Sequence, residues 1–387
     1  MTETETLFQE RANRFSTAAN LQEPDRVPVM SLIETYAIAY ANSTVNECLE
    51  SHEKEFEIYG KVFKDIYFDG TTNFGINRAM NVYTALGSNA YFISQDSSTL
   101  QHDEDCPMTV EDYPAFIRNP EQFTTNELFK RKYPNLSLPY PQNKEALKKA
   151  AFEVAGFGKK MGDGALYLKQ MGIPLTTSVM SIAPLDMIFD YYRGFAGMML
   201  DMRRVPEMLA EAADALVDTA IMNATHGASQ LAPFPWVFTP LHCPYFIGPQ
   251  KFGELFWPSY KKFLMAIHER GGKVFAFLEG NWEKYYEFLQ ELPKGLLIAS
   301  LEADDIIEAK KKIGNTVTLS GGMPINKLKY STEQECIDYA KNIVDHCAPG
   351  GGYIFTTNLC LVSGGDVNSA NYRAVNNFVH EYGQYKK

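Results

Sequence analysis

The second half of the chain alternates between short apolar runs and longer segments in which apolar residues recur every three or four positions. Short apolar runs bounded by turn residues predict buried strands, whereas the wider spacing predicts amphipathic helices. The two kinds of segment follow each other with short links, which is typical of parallel βα units. The predicted strands are Pro174–Ala183, Pro235–Leu241, Lys273–Leu278, Leu296–Leu301, Thr316–Leu319 and Tyr353–Thr357.

Helices are predicted between these strands and after the last of them. Glycine and proline end several of the helical patterns, as Gly271 and Pro293 do, because neither residue continues a helix well. The predicted helices are Asp186–Tyr192, Pro206–Ala228, Pro249–Arg270, Trp282–Leu292, Ile306–Ile313, Glu333–Cys347 and Ala370–Tyr385.

The first half of the chain is less regular. A helix is predicted over residues 4–22, within an N-terminal helical extension of residues 1–26, and Val27–Leu32 predicts the first strand. Two further helices are predicted, one over Glu47–Tyr67 and one that runs from Asn143 to Met161 and loosens at Gly162. Residues 107–145 contain six prolines. That stretch is too long for a bare loop, so we expect an irregular capping insertion with short helices.

These elements favour a single (β/α)8 TIM barrel over residues 1–387. Six βα units and one or two earlier strands account for the eight units that such a barrel needs, at about the usual length. A doubly wound sheet is the alternative, but it usually carries a glycine-rich turn after its first strand. Here the first strand is followed by Ile33-Glu-Thr-Tyr36, which contains no glycine.

Composition indicates a soluble protein that does not bind nucleic acid. The net charge is −11, and the 36 Lys and Arg residues form no basic tract, which a nucleic-acid binder would need. The acidic start of the sequence is unlike a signal peptide, and no apolar run reaches the roughly 18–20 residues of a membrane span. With six scattered cysteines and no CxxC pair, we expect free thiols and a cytoplasmic location.

In a barrel, chemistry is placed where the parallel strands end. The polar residues at the predicted strand ends include Glu34, His242, Glu279, Glu302 and Cys360. Their oxygen, nitrogen and sulfur donors are compatible with zinc, which needs three protein ligands and one open position for catalysis. Glu279, Glu302, His242 and Cys360 are therefore candidate metal ligands.

Each candidate also has a structural alternative. Glu279 ends an apolar strand, where a charge is costly without a partner, so it can be a ligand, an acid or base, or one half of a salt bridge. His242 can be a core histidine that donates to a backbone carbonyl, and Cys360 a small buried hydrophobic residue. Glu302, like the neighbouring Asp304 and Asp305, can cap the helix that begins near Ile306.

Several short motifs, in their order and spacing, resemble the uroporphyrinogen decarboxylase superfamily. They are Pro24-Asp-Arg-Val-Pro28, Arg193-Gly194 with Asp201, Pro206-Glu207, Pro258-Ser-Tyr-Lys261, Glu279-Gly-Asn281, Thr318-Leu-Ser-Gly-Gly-Met-Pro324 and Gly352-Tyr-Ile354. The resemblance spans nearly the whole chain and implies the (β/α)8 barrel that the alternation of strands and helices also predicts.

The chain departs from both of the main chemistries of that superfamily. Decarboxylases carry an Arg-Gln-Ala-Gly-Arg-Tyr segment after the first strand, where this chain has Ser31-Leu-Ile-Glu-Thr-Tyr36 and no arginine fork for substrate carboxylates. Methyltransferases of the coenzyme M type hold zinc with a His-x-Cys-Gly segment and a later Cys. Phe277 and Glu279 replace that His and Cys here, and the later Cys matches Cys360.

The chain is most similar to the cobalamin-dependent branch, and among it to methyltransferase I components of bacterial aryl O-demethylases. This resemblance implies methyl transfer from an aryl methyl ether to the Co(I) corrinoid of a carrier protein. Zinc held by Glu279 with some of Glu302, His242 and Cys360 would polarise the ether oxygen, or Glu34 or Tyr36 would protonate it. The alternatives are transfer to a thiol or tetrahydrofolate, uroporphyrinogen decarboxylation, and a non-catalytic tetrapyrrole-binding barrel.

Overall fold

Eight parallel strands form the centre of the protein, whose computed structural model describes residues 2–385. The barrel strands are β1 (Met30–Ser31), β2 (Gly70–Thr71), β5 (Thr177–Met180), β6 (Trp236–Leu241), β7 (Val274–Leu278), β8 (Leu297–Leu301), β9 (Thr318–Met323) and β10 (Tyr353–Thr357). The other two strands, β3 (Tyr91–Ile93) and β4 (Leu100–His102), pair with each other as an antiparallel hairpin.

The eight strands close into a ring. Strands β5 to β10 form one parallel sheet in chain order, and β1 pairs with β2. Parallel bridges between Thr71 and Leu175 and between Val29 and Phe355 join the two sheets. This closure confirms the predicted (β/α)8 barrel. Strand β1 is shorter than predicted because Pro28 has no N–H to add to a ladder; its carbonyl accepts a hydrogen bond from the Phe355 N–H at 2.9 Å.

Helices surround the barrel and fill its loops. In the first half they are α1 (Glu3–Ala19), α2 (Tyr36–Tyr40), α3 (Val45–Cys48), α4 (His52–Asp65), α5 (Met80–Leu86), α6 (Tyr113–Arg118), α7 (Pro120–Phe123), α8 (Phe129–Lys132) and α9 (Gln142–Gln170). In the second half they are α10 (Pro184–Met187), α11 (Gly194–Arg204), α12 (Pro206–Ala215), α13 (Val217–Thr225), α14 (Pro249–Lys251), α15 (Trp257–Glu269), α16 (Tyr286–Gln290), α17 (Ile306–Ile313), α18 (Ile325–Tyr330), α19 (Glu333–Cys347) and α20 (Ser369–Tyr382).

Helix α9 continues past Gly162, where the glycine pattern predicted that it would loosen. Its second half is held by packing rather than by intrinsic propensity. The Lys160 ammonium is buried and donates to the Glu55 carboxylate at 3.1 Å and to the Ile76 carbonyl at 2.6 Å. Near Gly164 the ring of Phe56 lies so close that an added Cβ would meet it at 3.3 Å. Tertiary contacts of this kind override the cost of glycine in a helix.

Apolar side chains that point into the barrel form a core separate from the core under the helices. The interior group contains Met30, Leu32, Trp236, Phe275, Ile298 and Ile354, with Phe238 and Phe277 packed against it. Phe15 of α1 belongs to the same group and meets the Trp236 ring edge-on at 6.0 Å. Helix α1 therefore closes the amino-terminal end of the barrel.

A buried ion network fixes α1 in that position. The Arg14 guanidinium donates to both oxygens of Asp25, at 2.7 and 2.6 Å, and also contacts Asp69. Asp69 is 0% exposed and accepts further hydrogen bonds from the Val29 N–H at 2.8 Å and the Tyr67 hydroxyl at 2.5 Å. Arg14, the Val29 N–H and the Tyr67 hydroxyl compensate the buried Asp69 carboxylate for its lost hydration, whereas Asp25 is half-exposed.

We expect Asp69→Ala to lower the free energy of unfolding by about 3–5 kcal/mol, since the change leaves Arg14 buried beside a lost carboxylate. Urea unfolding followed by circular dichroism measures this change. The matched control is Asp163→Ala, which removes the exposed pair with Lys159 and should cost less than about 1 kcal/mol. Equal losses of unfolding free energy in the two variants would show that the network of Arg14, Asp25 and Asp69 stabilises the fold no more than an exposed ion pair does.

Candidate active site at the carboxyl end of the barrel

Two neighbouring strands direct their last residues into the barrel mouth. Side chains alternate across a strand, and in β7 the inward positions are Phe275 and Phe277. Glu279 continues that alternation by two residues. In β6 the inward residues are Trp236 and Phe238, and the same parity continues to His242. The register pairs Leu241 with Leu278, so His242 and Glu279 emerge side by side.

His242 lies between two carboxylates. Its Nε2 is 3.2 Å from Oε1 of Glu279, and its Nδ1 is 3.0 Å from both oxygens of Asp190. Asp190 comes from a π-helical turn, Ile188–Arg193, that follows β5 and α10. Three consecutive βα units of the barrel thus contribute one residue each to this group, which we call the Asp190–His242–Glu279 triad.

The two carboxylates hold His242 in its protonated form. Burial by itself would lower the pKa of His242, but the hydrogen bonds and charges of Asp190 and Glu279 outweigh it and raise the pKa from 6.5 to about 11. The side chains of His242 and Glu279 are each one-third exposed. The imidazolium is therefore a fixed cation that still reaches solvent at the barrel mouth.

A second aspartate, Asp186, supports the turn that follows His242. Asp186 is 0% exposed, and its Oδ1 accepts a hydrogen bond from the Cys243 N–H at 2.7 Å. Burial, together with the nearby Asp190 charge, raises the pKa of Asp186 well above its usual range. Through its hydrogen bond to the Cys243 N–H, Asp186 positions the turn after His242. Neither Asp186 nor Asp190 stands directly after a strand, so the search for polar residues at strand ends missed both.

The acidic residues after β8 have structural partners. Oε2 of Glu302 accepts a hydrogen bond from the Gly280 N–H at 2.9 Å. The Asp304 carboxylate accepts from the Trp282 N–H and from the Tyr286 hydroxyl, the latter at 2.7 Å. Oδ1 of Asp305 caps α17 through the Ile307 and Glu308 N–H groups. Glu302 therefore shapes the turn that follows Glu279.

The remaining candidates lie on the other side of the mouth, beside β1 and β10. The Glu34 carboxylate is 3.9 Å from Nη1 of Arg78. Cys360 lies beside it, and burial together with the Glu34 charge raises the pKa of the thiol. Tyr36 is 1% exposed, with its hydroxyl 2.9 Å from Oγ of Ser369. The structure does not bring these three residues to the triad.

The zinc ligands expected from the sequence are not assembled as one group. Nε2 of His242 and Oε1 of Glu279, 3.2 Å apart, have the separation of two ligands on one tetrahedral zinc, which is roughly 3.3 Å. Within residues 2–385, however, no three His, Cys, Asp or Glu side chains are grouped so that they could hold a metal ion. The residues present supply two donors where catalytic zinc needs three.

A cavity of about 190 Å³ adjoins the triad, with Asp190 in its wall. The hairpin β3–β4, the segment after it and the end of α8 cover the cavity, so part of the region predicted as a capping insertion borders it. Aromatic rings form much of the wall, and acidic residues form most of the rest. The lining residues are Tyr83, Ala90, Tyr91, His102, Asp103, Glu104, Asp105, Lys132, Tyr133, Phe189, Asp190 and Tyr191.

Exposed aromatic side chains stand on the rim beside the triad. Tyr245 and Phe246 follow His242, and Phe246 meets the rings of Phe189 and Phe195 at 5.7 and 4.9 Å. The Tyr245 ring lies against Gly280, where an added Cβ would meet it at 2.2 Å, and Gly280 has a φ of +73°. Glycine is therefore required after Glu279 both for the turn and for this close approach.

Comparison with known proteins gives a family and a fold. The family described as Uroporphyrinogen decarboxylase (URO-D) matches residues 165–382, more than half of the chain. A solved structure described as a methyltransferase from Methanosarcina mazei aligns with a TM-score of 0.61 and 14% sequence identity, over 96% of this chain and 98% of that chain. At this identity the likeness establishes the fold. No curated protein matches the sequence. Across residues 2–385, no helix is long and apolar enough to cross a membrane.

We expect Asp190→Asn to lower the pKa of His242, because the change removes the charge at Nδ1. In the wild type, NMR should find His242 protonated from about pH 6 to about pH 9, whereas an isolated histidine titrates near 6.5. The resonance is assigned by its loss in His242→Gln. Asp218→Asn, on the exposed face of α13, is the control and should leave the titration unchanged.

The raised pKa of His242 also sets the direction in which the stability of the fold depends on pH. Since the folded-state pKa of about 11 lies above the ordinary 6.5, the triad stabilises the fold fully below about pH 6.5 and progressively less as the pH rises through the folded-state value. A wild-type His242 that titrates near 6.5 would show that the carboxylates do not hold its proton.

Proposed function

Because this chain belongs to the uroporphyrinogen decarboxylase family, we propose that it is a corrinoid-dependent methyltransferase that demethylates an aryl methyl ether. The acceptor is the Co(I) corrinoid of a separate carrier protein, which supplies the nucleophile for the methyl carbon. The observation that carries the proposal is the Asp190–His242–Glu279 triad, which holds a cation beside an aromatic-lined cavity at the barrel mouth.

The leaving group explains why such a cation is useful. Breaking the bond between the methyl carbon and the ether oxygen leaves both electrons on oxygen, and the product phenolate has an ordinary pKa near 10. A proton donated to that oxygen in the transition state speeds the step by about 10²–10⁴-fold. The two carboxylates raise the pKa of His242 to about 11, so its imidazolium carries a proton at pH 7 and can act as that donor.

Each member of the triad has a distinct role in this scheme. His242 donates the Nε2 proton to the leaving oxygen, which replaces the Glu279 carboxylate as the partner of Nε2, since those two groups are only 3.2 Å apart in the free protein. Asp190 holds Nδ1 at 3.0 Å and stabilises the charge on the ring. Glu279 orients the Nε2–H group before the substrate arrives. After transfer the neutral imidazole regains its proton from solvent, which the one-third exposed side chain reaches.

The residues after β1 support methyl transfer over decarboxylation. Substrates with many carboxylates are held by arginine forks, but the segment from Ser31 to Tyr36 contains no arginine. Its charged residue is Glu34, which faces Arg78 at 3.9 Å. The acidic lining of the cavity also opposes an anionic substrate. A flat and mostly apolar ligand suits the tyrosine walls better.

Zinc is the alternative that the sequence resemblance implies, although the described residues supply two donors rather than the three that catalytic zinc needs. His242 and Glu279 would be two of its ligands, and Asp190 at Nδ1 is placed as carboxylates that orient metal-bound histidines are. Metal analysis of the pure protein separates the two possibilities. The proton-donor scheme expects activity without bound metal, whereas the zinc scheme expects about one zinc per chain and loss of activity on chelation.

We expect His242→Gln to lower kcat for methoxyarene demethylation by about 10²–10⁴-fold, because the proton donor is lost. The assay combines the protein, a reduced corrinoid carrier and a panel of methoxyarenes, and it measures the released phenol. The loss should be smaller for substrates whose phenol is more acidic, since these need less protonation. Absence of demethylation by the wild type across a broad panel would refute the proposed donor class.

Cys360→Ala is the matched control for the metal question. Cys360 contacts neither His242 nor Glu279 but belongs to the ligand set that the sequence predicted. The proton-donor scheme expects the variant to keep wild-type kcat and metal content, provided that circular dichroism shows it folded. Loss of both zinc and activity in Cys360→Ala would instead support the zinc scheme.

A further inference from the structure

The cavity beside the triad has the size of one substituted benzene ring. An apolar cavity of about 150 Å³ is known to hold benzene, and this one measures about 190 Å³. Its wall includes Asp190, which contacts His242 at 3.0 Å. A ring bound there would contact Asp190, the carboxylate that holds Nδ1 of the histidine proposed to protonate the leaving oxygen.

Four tyrosines contribute most of the aromatic part of the wall. Tyr83 and Tyr91 lie with ring centroids 4.7 Å apart, and Tyr133 and Tyr191 complete the group. Burial raises the pKa of Tyr133 to about 12 and that of Tyr83 and Tyr191 further, so all three stay neutral near pH 7. Neutral ring faces attract cations, and most strongly where water is excluded.

The charged part of the wall is predominantly negative. Four carboxylates line the cavity, those of Asp103, Glu104, Asp105 and Asp190, against one ammonium, that of Lys132. Oε1 of Glu104 accepts a hydrogen bond from the Phe195 N–H at 2.5 Å. Within the described residues, the Asp103 and Asp105 side chains take part in no hydrogen bond or ion pair. Their charges are therefore uncompensated at the entrance to an aromatic cavity.

Two cations near the cavity do not make the net charge of its surroundings positive. Nζ of Lys132 donates to the Asp105 carbonyl at 2.7 Å, which leaves the Asp105 carboxylate unneutralised by direct contact. The Arg78 guanidinium lies 6.0 Å from the Tyr91 ring centroid and pairs with Glu34 at 3.9 Å, so that pair contributes little net charge. The imidazolium of His242 is likewise offset by Asp190 and Glu279.

We propose that the methyl donor is a cationic methoxyarene, that is, an aromatic ether that carries an ammonium group. This inference rests on the proposed function and narrows its substrate class. The tyrosine rings hold the arene and attract the ammonium group, and the Asp103 and Asp105 carboxylates complement its charge. A methoxybenzoate of the same size meets four carboxylates and is rejected.

A series of three ligands that differ in one substituent tests the charge preference. They are 4-methoxybenzylamine, 4-methoxybenzyl alcohol and 4-methoxybenzoate, titrated into the full-length protein by calorimetry without any corrinoid carrier. We expect the amine to bind about tenfold more tightly than the alcohol, and the benzoate more weakly than the alcohol. The advantage of the amine should shrink as salt is raised, because exposed charges are screened.

Substitutions of the lining residues test whether the cavity causes the preference for the amine. Asp103→Asn with Asp105→Asn should bring the amine to within about threefold of the alcohol, whereas Asp218→Asn with Glu211→Gln, which removes two charges elsewhere on the surface, should leave the tenfold difference intact. Tyr91→Leu should weaken the amine, and Tyr91→Phe should retain it because the ring face remains. Equal binding of amine and alcohol, or an equal effect of the two charge pairs, overturns the inference.

The binding readout keeps the two proposals separate. Selective binding of the amine without methyl transfer in the coupled assay would sustain the charge preference and refute the proposed activity. Demethylation of 4-methoxybenzyl alcohol or 4-methoxybenzoate at the same kcat/KM as the amine, with no difference in affinity, would sustain the activity and refute the charge preference.

Discussion

The salt bridge of His242 with Asp190 and Glu279 is the interaction on which the candidate site depends. It requires β6 and β7 to end at one rim with His242 and Glu279 side by side, and the π-helical turn after β5 and α10 to bring Asp190 to the same point. The register of β6 with β7 sets the spacing of His242 and Glu279. A slip of one residue in either strand would turn one of them outward. The closed barrel therefore determines a contact between atoms that are 37 residues or more apart in the chain.

Sequence patterns located β6, β7, β8 and β10 to within one residue, together with the residues that follow them, because buried parallel strands are short apolar runs. The strand predicted over Thr316–Leu319 was wrong at its end, since β9 continues to Met323. Alternation within β7 also predicts the direction of Glu279, since Phe275 and Phe277 fill the barrel interior. Which candidate residues lie close together depends on the order of the strands around the barrel. Cys360 follows β10, which is four strands away from β6, whereas Glu34 follows its neighbour β1. The four expected ligands thus span the barrel mouth, which no local pattern reveals.

Asp190 was beyond the reach of the same patterns for a different reason. It lies within a π-helical turn rather than at a strand end, so its direction depends on one extra residue in the helix. Such turns are frequent at functional sites, but they have no distinct apolar spacing. Helix α9 illustrates the related limit: Gly162 signals a break, and only the contacts of Lys160 and Gly164 with the first half of the chain explain why the helix continues.

The two ends of the barrel use charge in different ways. At the amino-terminal end, Arg14 and Asp69 are almost fully buried and every oxygen of Asp69 has a partner, so these ions fix α1 and have no proton to exchange. At the carboxyl end, His242 and Glu279 are one-third exposed. Partial exposure lets a ligand or solvent reach the Nε2–H group, and this is the physical difference between a structural and a reactive ion pair.

The replacement of two residues accounts for how the proposed site differs from that of thiol-directed relatives. Where those proteins are expected to place a zinc-binding His and Cys, this chain has Phe277, which packs in the barrel interior, and Glu279, which faces His242. A carboxylate at that position stabilises an imidazolium as readily as it binds a metal. In this chain the imidazolium puts positive charge where an oxygen leaving group develops negative charge. It also supplies the proton that a phenolate leaving group needs, whereas a thiol that accepts a methyl group has to lose its proton, which is the task that a zinc ion suits.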